Sequence, residues 1–591
     1  MKVFPRFSMQ PFFWSVGGVA CAMLLLGDMF PAPNESLTWA QTPPVLDPTG
    51  RSGESPSLIP QEALRPAKPS RPMLPSLEQL QERSLQGVPP IQVFVKELKV
   101  VGYTVFSDQE IHAIIHPYQN RLITTEDLET VRRALTLLYV DKGYINSGAI
   151  IPDQGIEDGV VTLEIIEGTL DEIDVVVEGA KHFHPFYFRS RIRLGVEEPL
   201  NVRPLQERLQ LLLLDSRVQR LNSELKPGSH LGSSELHVRV KEASPYRAWA
   251  EFNNFQSPTI GAERGLGTVA HQNLLGLGDV FQFTYGQSKG LDPLIDGSYT
   301  LPITPYDTTL EFQYRRNNFK DVSNTFKDLD IKSKTQIFTF TLRQPIYRNL
   351  QDEVALSLTG EHLENNTSLL GSGFAFTPGY TNNGHAKITA LRFAQEWTRR
   401  QSNQVFAIRS RFSMGLDIFD ATNNRVNKDD PDSHFFVWLG QAQWVRRIDP
   451  WGIQFLTSSA LQIANDSLFP LQQFAVGGRF SVRGYRENTL VRDNAFLFSV
   501  ETRLPVLPSV FGDNVLYFAP FVDVGHSWNA QVTTPSPKTL ASVGTGVRIN
   551  IFDRAQANVY WGMQLNHVSD PPPGGNLQDH GVHVQFVWNL F

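Results

Sequence analysis

Residues 247–591 of this 591-residue chain alternate apolar and polar side chains in about sixteen short stretches. Phe281, Phe283 and Tyr285, for example, alternate with Gln282 and Thr284. A period of two predicts β-strands whose two faces meet different surroundings. A transmembrane barrel needs such strands, because lipid covers its outer face and water fills its lumen. The pattern therefore predicts an outer-membrane β-barrel.

The alternation also predicts the number of strands. Each membrane strand needs roughly 9–11 residues, so sixteen strands leave a reasonable share of the region for turns and loops. Eight strands would leave loops too long for a compact domain. Long polar stretches at 317–334, 363–385, 416–433 and 464–493 predict external loops, whereas the connections at the other end are short. A large soluble β-domain is the alternative. The predicted strand centres are residues 251, 269, 283, 298, 312, 340, 357, 391, 409, 440, 457, 498, 518, 545, 559 and 586.

The N-terminus has the pattern of an export signal. Lys2 and Arg6 precede an apolar run from Pro11 to Gly27, which is shorter than the roughly 20 residues of a membrane-spanning helix. Ala40 is a candidate cleavage position, so we predict a signal peptide over residues 1–40. A membrane anchor is the alternative interpretation.

Residues 41–90 are rich in proline and lack apolar periodicity, which predicts an extended linker. Within it, Ser76 and Gln79 fit a capping box for one short helix over residues 76–86. The face of this helix is mostly polar, so it could sit in a water-filled space. A transient helix in a disordered linker is the alternative.

Residues 91–168 predict a small α/β unit with the order strand, helix, helix, strand, strand. Ser107 and Glu110 form a capping box for the first helix, and Thr124 opens the second. Residues 169–243 repeat that order, which predicts two copies of one unit. The apolar face of the second helix in the first unit consists of Leu128, Val131, Leu135 and Leu138.

Three short motifs stand out in the barrel region. One is an Arg-Gly-Tyr stretch in the last long loop, one is a Phe-x-Asp-x-Gly stretch two strands later, and one is a tight Gly-rich turn near the start. Either of the first two motifs alone would be weak evidence for a protein family, but the two together, in this order and at these positions, are a specific combination. The residues are Val482, Arg483, Gly484 and Tyr485; Phe521, Asp523 and Gly525; and Asn273, Gly276, Gly278 and Asp279.

With these motifs, residues 91–591 resemble the two-partner secretion transporters of the haemolysin-activator and filamentous-haemagglutinin-secretion type (ShlB/FhaC/HecB), in the superfamily that includes BamA. The resemblance implies two tandem α+β POTRA units in the periplasm, over residues 91–168 and 169–243. It implies an all-β, sixteen-stranded transmembrane barrel over residues 244–591. The expected function is secretion, and in the haemolysin-activator case also activation, of one large partner exoprotein.

The resemblance also implies a role for the two paired motifs. The loop that carries Arg483 would fold into the lumen, where Arg483 pairs with Asp523 on the inner wall. Gly484 would let the chain turn, and Gly525 would leave room for the loop tip. Two unit charges 4 Å apart attract by about 4 kcal/mol at an effective dielectric constant near 20. A wide polar lumen is expected to keep the pair partly hydrated.

POTRA units of this family receive the unfolded substrate, by edge-strand addition or in an apolar groove beside the longer helix. The edge strand at Ile150 and the helix face Leu128–Leu138 are candidates for this role in the first unit. Packing in the core of the unit is the alternative for those leucines. The helix over residues 76–86 matches the place of a pore-plugging helix in related transporters.

Several functions are not supported by the sequence. The net charge of −7 offers no basic surface for nucleic acid. Gly276-x-Gly278 precedes a strand and not a helix, and no phosphate-binding loop is present, so we expect no nucleotide. His182 and His184 lack further ligands, and the acidic stretch 429–432 is expected to be solvated. We therefore expect no enzymatic activity, no cofactor and no metal.

The expected partners are outer-membrane lipid and one large secreted exoprotein. Two alternatives remain open. A BamA-like assembly factor would insert other barrels, and such factors usually carry more POTRA units than this chain has room for. A passive porin would need no periplasmic receiving domain, so the helix-rich segment 91–241 argues against it.

Overall fold

The structure is a computed structural model that describes residues 92–591 except 157, 180–181, 292, 324–326, 424, 449–450, 508–515, 552–553, 569–574 and 591. The predicted signal peptide, the linker and the helix at 76–86 lie outside the described residues. Across the described ranges, no helix combines the length and the hydropathy that a membrane crossing requires.

The first unit packs two helices on two small sheets. β1 and β3 form an antiparallel pair, and the second sheet has the order β2-β5-β4, with β2 parallel to β5. Both predicted helix starts carry capping boxes, from Ser107 to Glu110 and from Thr124 to Asp127. The elements are β1 (Gln92–Val95), β2 (Glu97–Val101), α1 (Asp108–Ile115), β3 (Arg121–Thr124), α2 (Thr125–Asp141), β4 (Gly148–Ile150) and β5 (Val160–Ile166).

The second unit repeats this topology. Its sheet has the order β6-β8-β7, and β6 is parallel to β8 as β2 is parallel to β5 in the first unit. Asn201 caps the longer helix by accepting a hydrogen bond from the N–H of Arg203. The elements are β6 (Thr169–Glu178), α3 (Pro185–Arg193), α4 (Val202–Leu213), β7 (Val218–Pro227) and β8 (Ser233–Glu242).

The remaining strands form a closed barrel of sixteen antiparallel strands in which the last, β27, pairs with the first, β9. The two-residue strand β16 extends one hairpin, and β21 and β22 form a separate small hairpin. The strands are β9 (Tyr246–Asn253), β10 (Arg264–His271), β11 (Val280–Ser288), β12 (Leu294–Pro302), β13 (Thr309–Lys320), β14 (Lys332–Arg348), β15 (Asp352–Leu369), β16 (Ser372–Gly373), β17 (His385–Arg400), β18 (Gln404–Leu416), β19 (Phe436–Ile448), β20 (Ile453–Ala464), β21 (Phe474–Val476), β22 (Leu490–Arg492), β23 (Asn494–Leu507), β24 (Leu516–Trp528), β25 (Thr539–Ile551), β26 (Ala555–Gln564) and β27 (Val582–Asn589).

The sequence prediction of sixteen strands is confirmed, and each predicted centre falls within one barrel strand. The predicted loops at 317–334 and 363–385 are shorter than expected, because β14 and β15 stay paired as far as Lys332 and Ser368. Both faces of this extension are polar, which conceals strand periodicity in the sequence. Side chains help to hold this extension, because Asn365 Nδ2 donates across the strands to Ser333 Oγ at 2.9 Å and to Thr335 Oγ1 at 2.7 Å.

The two faces of the barrel differ as the alternation predicts. On β24, Phe518 and Val522 point outward and are exposed, whereas Phe521 and Asp523 point inward and are buried. Such alternation is typical of a barrel whose lumen is polar. Because the chain enters the barrel at Tyr246 directly after the second unit, the start of β9 marks the periplasmic end.

Candidate functional site

The lumen loop, which we define as residues 465–493, connects β20 to β23 and lies against the inner wall of the barrel. Its hairpin β21–β22 carries the turn that contains Arg483. Val476, Val482 and Tyr485 are almost completely buried and belong to one apolar cluster with Leu497 of the wall. The loop is therefore packed inside the barrel rather than extended outside it.

Arg483 binds Asp523 through two parallel hydrogen bonds. Its Nε donates to Oδ2 at 2.7 Å, and its Nη2 donates to Oδ1 at 2.8 Å. The backbone N–H of Arg483 donates to the same carboxylate at 3.0 Å, and the Ser499 hydroxyl donates to it at 2.6 Å. A forked guanidinium–carboxylate contact fixes orientation as well as distance, so the turn has one position on the wall.

A second carboxylate completes the site. Arg483 Nη1 donates to Glu501 of β23, which also accepts a hydrogen bond from Arg503 Nε at 2.7 Å. The guanidinium of Arg483 lies 3.6 Å from the centre of the Phe521 ring, within cation–π range. Tyr560 also belongs to this cluster, since its hydroxyl donates to Glu501 at 3.2 Å and accepts from Arg548 at 3.2 Å.

The Arg483–Asp523 contact is drier than the sequence suggested. The side chains of Arg483 and Asp523 are 4% and 0% exposed. Water is excluded because the ring of Phe521, the ring of Tyr560 and the loop itself cover the pair. Burial raises the cost of separating the charges, because a lone charge would remain in a poorly hydrated place.

Gly484 adopts a conformation that other residues avoid. Its φ is +92°, and a Cβ atom there would lie 2.7 Å from the carbonyl oxygen of Gly562. Its own carbonyl accepts a hydrogen bond from Gln564 Nε2 at 2.8 Å. The turn can approach β26 this closely because neither Gly484 nor Gly562 has a side chain.

The other motif residues complete the packing of the loop. The Tyr485 hydroxyl lies within hydrogen-bonding distance of the carbonyl oxygens of Ala541 and Asn566, at 3.0 and 2.8 Å, and its single hydrogen is shared between them. A Cβ atom on Gly525 would lie 2.9 Å from Val482, so this glycine leaves the space that the loop occupies.

The sequence analysis missed five residues that also hold the loop. Glu501 accepts from Arg483, Arg486 donates to Asp579 at 2.5 Å, and the backbone N–H of Glu487 donates to the Gln578 side chain at 2.9 Å. Single charged residues on strands and loops give no periodic signal, so the residues alone could not have identified them.

The third motif forms a periplasmic turn between β10 and β11. Asn273 Oδ1 accepts from the N–H of Gly278 at 2.9 Å, and Asp279 accepts from the N–H of Leu275 at 2.9 Å. Asp279 also accepts from the Tyr299 hydroxyl at 2.9 Å. These two side chains shape the turn from within, as expected for Asx residues.

The two glycines of this turn contact the second unit. The carbonyl of Gly276 accepts from the N–H of His184 at 2.9 Å, and the carbonyl of Gly278 accepts from Arg217. A Cβ atom on Gly278 would lie 2.6 Å from the Tyr187 ring. We call these contacts the periplasmic latch, since they join the second unit to the rim of the barrel.

Charged side chains support the latch from the second unit. Arg217 donates to Asp215 at 2.8 Å and 2.8 Å through two nitrogens. Burial raises the pKa of the Asp215 carboxyl, but the positive charge and hydrogen bonds of Arg217 outweigh it, so the pKa lies below its usual value. Arg217 is thereby held in line with the turn.

A second contact joins the same unit to the next periplasmic turn. Arg191 of α3 lies 2.9 Å from Asp307, and Arg348 of β14 donates to the other oxygen of Asp307 at 2.5 Å. The side chain of Asp307 is 32% exposed, so water competes with both arginines.

The helix face that the sequence proposed for substrate reception is mostly core, which corrects that prediction. Val131 and Leu135 are completely buried, and Leu128 and Leu138 are partly buried and pack against the same cluster. A 3.6-residue apolar period marks the face that packs inward, so it does not identify a free surface. Ile150 of β4 is half-buried.

The edge of β4 is also partly occupied. The N–H of Ala149, its central residue, donates to Thr136 Oγ1 of α2 at 3.1 Å. The exposed apolar side chains of this unit lie elsewhere. Phe94 and Leu122 are paired across β1 and β3, and they are 54% and 63% exposed.

Throughout the described part of the chain, no group of three or more His, Cys, Asp or Glu side chains is arranged to hold a metal ion. The contacts of the site are instead hydrogen bonds and ion pairs that hold the loop and the second unit. The site is mechanical in character, since its charged groups fix segments of chain against each other.

A closed sixteen-stranded barrel, α+β units before it and a loop folded into the lumen define an outer-membrane transporter. The sequence profile described as haemolysin secretion/activation protein ShlB/FhaC/HecB matches residues 232–549, and the profile of the ShlB-type POTRA domain matches residues 93–168. The chain therefore belongs to the ShlB/FhaC/HecB family and is an outer-membrane transporter of two-partner secretion, with its POTRA domain in the periplasm.

Individual relatives agree with this assignment. The outer membrane transporter CdiB of Dickeya dadantii is 22% identical over 476 residues, which cover 77% of this chain and 80% of CdiB. The structure of CdiB from Escherichia coli matches with a TM-score of 0.63 at 20% identity, over 87% of this chain and 93% of that one. BamA from Haemophilus ducreyi, in a form lacking POTRA domains 1–3, matches with a TM-score of 0.51 at 13% identity, over 84% and 99%. BamA is thus a distant structural relative that shares the fold.

Proposed function

We propose that this transporter exports one large partner exoprotein in extended form through its lumen, and that the Arg483–Asp523 contact anchors the lumen loop during export. The observation that carries the anchoring role is the forked contact between these residues, buried on the inner wall. A loop of this length has a high entropy when free, so several strong contacts are needed to order it.

The size of the barrel supports the passage of an unfolded chain. Sixteen-stranded barrels enclose an aqueous channel, whereas barrels of about eight strands are filled by their own side chains. The lumen loop occupies part of this channel, so a conducting path requires a shift of the loop or of another segment in the lumen. The sequence has no phosphate-binding loop, so we propose that folding of the partner outside the cell biases transport.

We assign residues 91–168 and 169–243 to two periplasmic POTRA units and assign reception of the partner to the first. The exposed pair Phe94 and Leu122 supports this role, since exposed apolar side chains mark interaction sites. Both residues lie in the two-stranded sheet β1–β3, to which an extended segment of the partner could add as a further strand.

The other expected properties belong to the same proposal. The transporter would act without catalysis, cofactor, nucleotide or nucleic acid, and lipid would surround the barrel. The helix predicted at 76–86 would plug the lumen in the resting state. Nothing in the contacts described above favours a BamA-like assembly role or a passive porin over export.

The test is secretion of the large exported protein encoded nearest to the transporter gene. Cells carry the transporter, its Arg483→Ala variant or the Arg425→Ala variant, and secreted and retained partner are measured. Arg425 is the matched control, because it pairs with Asp432 at 3.0 Å in a different external loop. Heat-dependent gel migration of the barrel reports whether each variant is folded.

We expect Arg483→Ala to lower secretion at least tenfold while the barrel stays folded. Removing one partner of a buried ion pair leaves the other charge unpaired and costs about 3–5 kcal/mol. Arg425→Ala should secrete normally. Normal secretion by Arg483→Ala would remove the anchoring role. Equal secretion from cells without any transporter would remove the export function itself.

A further inference from the structure

A concavity of about 460 Å³ lies in the outer wall of the barrel, across β17, β18, β19 and β20. It is close to the periplasmic rim, because it reaches the short turn between Arg400 and Gln404. We call it the rim groove. Its outward-facing lining consists of Arg399, Phe406, Ala442, Trp444, Thr457 and Ser459.

The alternation of each strand shows that the rim groove faces lipid. On β18, Ala407 and Arg411 are buried toward the lumen, whereas Ile408, which has the same parity as Phe406, is exposed. On β19, Phe436 has the same parity as Ala442 and is also exposed. The groove therefore opens toward the membrane and not toward the channel.

The shape of the groove comes from two small residues that lie beside a row of larger ones. Arg399, Phe406, Trp444 and Thr457 are direct cross-strand neighbours on β17 to β20. The next row, one step farther from the rim, continues from Ile408 to Ala442 and Ser459, and these two small residues leave a depression. Lipid chains would fill a depression of this kind, because an empty one forfeits dispersion contacts.

The rim end of the groove is positively charged. The side chain of Arg399 is 47% exposed and forms an ion pair with its cross-strand neighbour Asp352 at 3.8 Å, so together with Arg446 the rim end carries two positive charges against one negative charge. Arg446 is exposed on the outward face of β19, directly beside Gln404 in the register. Basic side chains at headgroup depth attract phosphate. The indole N–H of Trp444 donates to Gln404 Oε1 at 3.2 Å. The Trp444 ring therefore lies where aromatic side chains of membrane proteins meet the lipid headgroups.

We propose that the rim groove binds one phospholipid of the periplasmic leaflet. Arg399 binds the headgroup phosphate by charge-assisted hydrogen bonds, and one acyl chain lies over Ala442 and Ser459 beside the Trp444 ring. The occupant is a phospholipid because the site joins a cationic end to an apolar trough at membrane depth. This site concerns the lipid-facing wall and does not depend on the lumen loop or on export.

The experiment is native mass spectrometry of the full-length protein released from nanodiscs of phosphatidylethanolamine and phosphatidylglycerol, followed by stepwise delipidation. The variants are Arg399→Gln, which removes the cation, and Ala442→Trp, which fills the trough. Arg554→Gln and Ala557→Trp are their matched controls, because both residues lie near the periplasmic ends of β25 and β26, on another part of the wall. Inorganic phosphate is added in a separate arm.

We expect one phospholipid to remain on the wild type, with occupancy at least tenfold lower in Arg399→Gln and Ala442→Trp, since hydrogen bonds to charged groups are worth about that factor. Both controls should retain the lipid. Equal retention in all five proteins, no retained lipid on the wild type, a dimer mass in place of the lipid, or displacement by inorganic phosphate would each overturn the proposal. This experiment measures bound lipid and not secretion, so its result does not depend on the result of the export test.

Discussion

Charged residues hold the chain in two different ways at the two ends of this transporter. In the lumen, Arg483 contacts two carboxylates, and all three side chains are at most 8% exposed. At the periplasmic latch, Arg217 and the N–H of His184 contact the backbone carbonyls of Gly278 and Gly276. The first arrangement joins charge to charge, and the second joins donors to neutral acceptors.

The difference bears on how easily each contact opens. A carbonyl that loses its donor can bind water at the rim, so the latch exchanges one hydrogen bond for another. A buried carboxylate that loses its arginine has no such replacement until the lumen fills with water. The lumen loop is therefore expected to move rarely, whereas the second unit can leave the rim at a modest cost.

The largest effect is expected from Asp523→Asn. This change keeps the shape of the side chain but leaves Arg483 with a single carboxylate, Glu501, and an uncompensated charge. The docked position of the loop should become less stable by about 3–5 kcal/mol relative to the released position, which is enough to populate the released state. Planar-bilayer recordings should show a large rise in the open fraction of the channel.

Asp466→Asn is the control for this change, because Asp466 lies in the same loop and its carboxylate accepts from the neutral side chain of Gln531 at 3.4 Å. It should keep wild-type conductance. All channels are recorded in chains that lack residues 76–86, so that the proposed plug cannot keep them closed. An Asp523→Asn channel that still stays closed as often as its parent would show that the charge pair does not hold the loop, and the contrast between the two ends would disappear.

The barrel could be predicted from the sequence because each strand repeats one constraint, lipid outside and water inside, in every second residue. The pairing of Arg483 with Asp523 could not be derived in that way, since no pattern links positions 40 residues apart, and it followed from a family resemblance. Glu501 was missed for the same reason. Val131 and Leu135 were candidates for substrate reception, with core packing as the alternative, and the structure places them in the core; the sequence could not decide because a periodic apolar face looks the same whether a core or a partner covers it.

A smaller effect is expected from Arg217→Ala in the periplasmic latch. The change removes the charge-assisted hydrogen bond to Gly278, worth about 1.5–3 kcal/mol, and with it the two hydrogen bonds to Asp215 inside the second unit, while the His184 contact remains. The second unit should detach from the rim for a larger share of the time. Spin labels at Ser229 and Gln351, introduced after Cys21→Ser, should then give a broader distance distribution by pulsed electron paramagnetic resonance.

Arg220→Ala is the matched control, because Arg220 is an exposed arginine on β7 of the same unit. It should leave the distance distribution narrow. If Arg217→Ala and Arg220→Ala gave the same narrow distribution as the wild type, the latch would not determine the position of the second unit, and the comparison would reduce to the lumen loop alone.

The smallest effect is expected at Glu167, whose carboxylate also binds neutral donors. It accepts from the N–H of Thr104 at 2.6 Å, the N–H of Val105 at 3.1 Å and the Tyr139 hydroxyl at 2.6 Å. Burial raises the pKa of Glu167, but these hydrogen bonds outweigh it and place the pKa below its ordinary value.

The pKa of Glu167 is lower in the folded state than in the unfolded state. Its contribution to the free energy of unfolding is therefore complete above the unfolded pKa and is lost as the pH falls through the folded pKa. Hydrogen–deuterium exchange of the full chain, corrected for intrinsic rates, should show weaker protection of the Thr104 and Val105 amides at pH 4 than at pH 7. Glu167→Gln should lower the free energy of unfolding by about 1 kcal/mol at pH 7, and the protection of the two amides should then differ little between the two pH values.

Glu97→Gln is the control, because Glu97 is exposed on β2 of the same unit, and it should keep the pH dependence of the wild type. If Glu167→Gln kept that dependence too, the carboxylate would not be the titrating group behind it. A loss as large as that of Asp523→Asn would contradict the comparison itself, because it would mean that a charge bound to neutral donors is as hard to replace as one bound to an opposite charge.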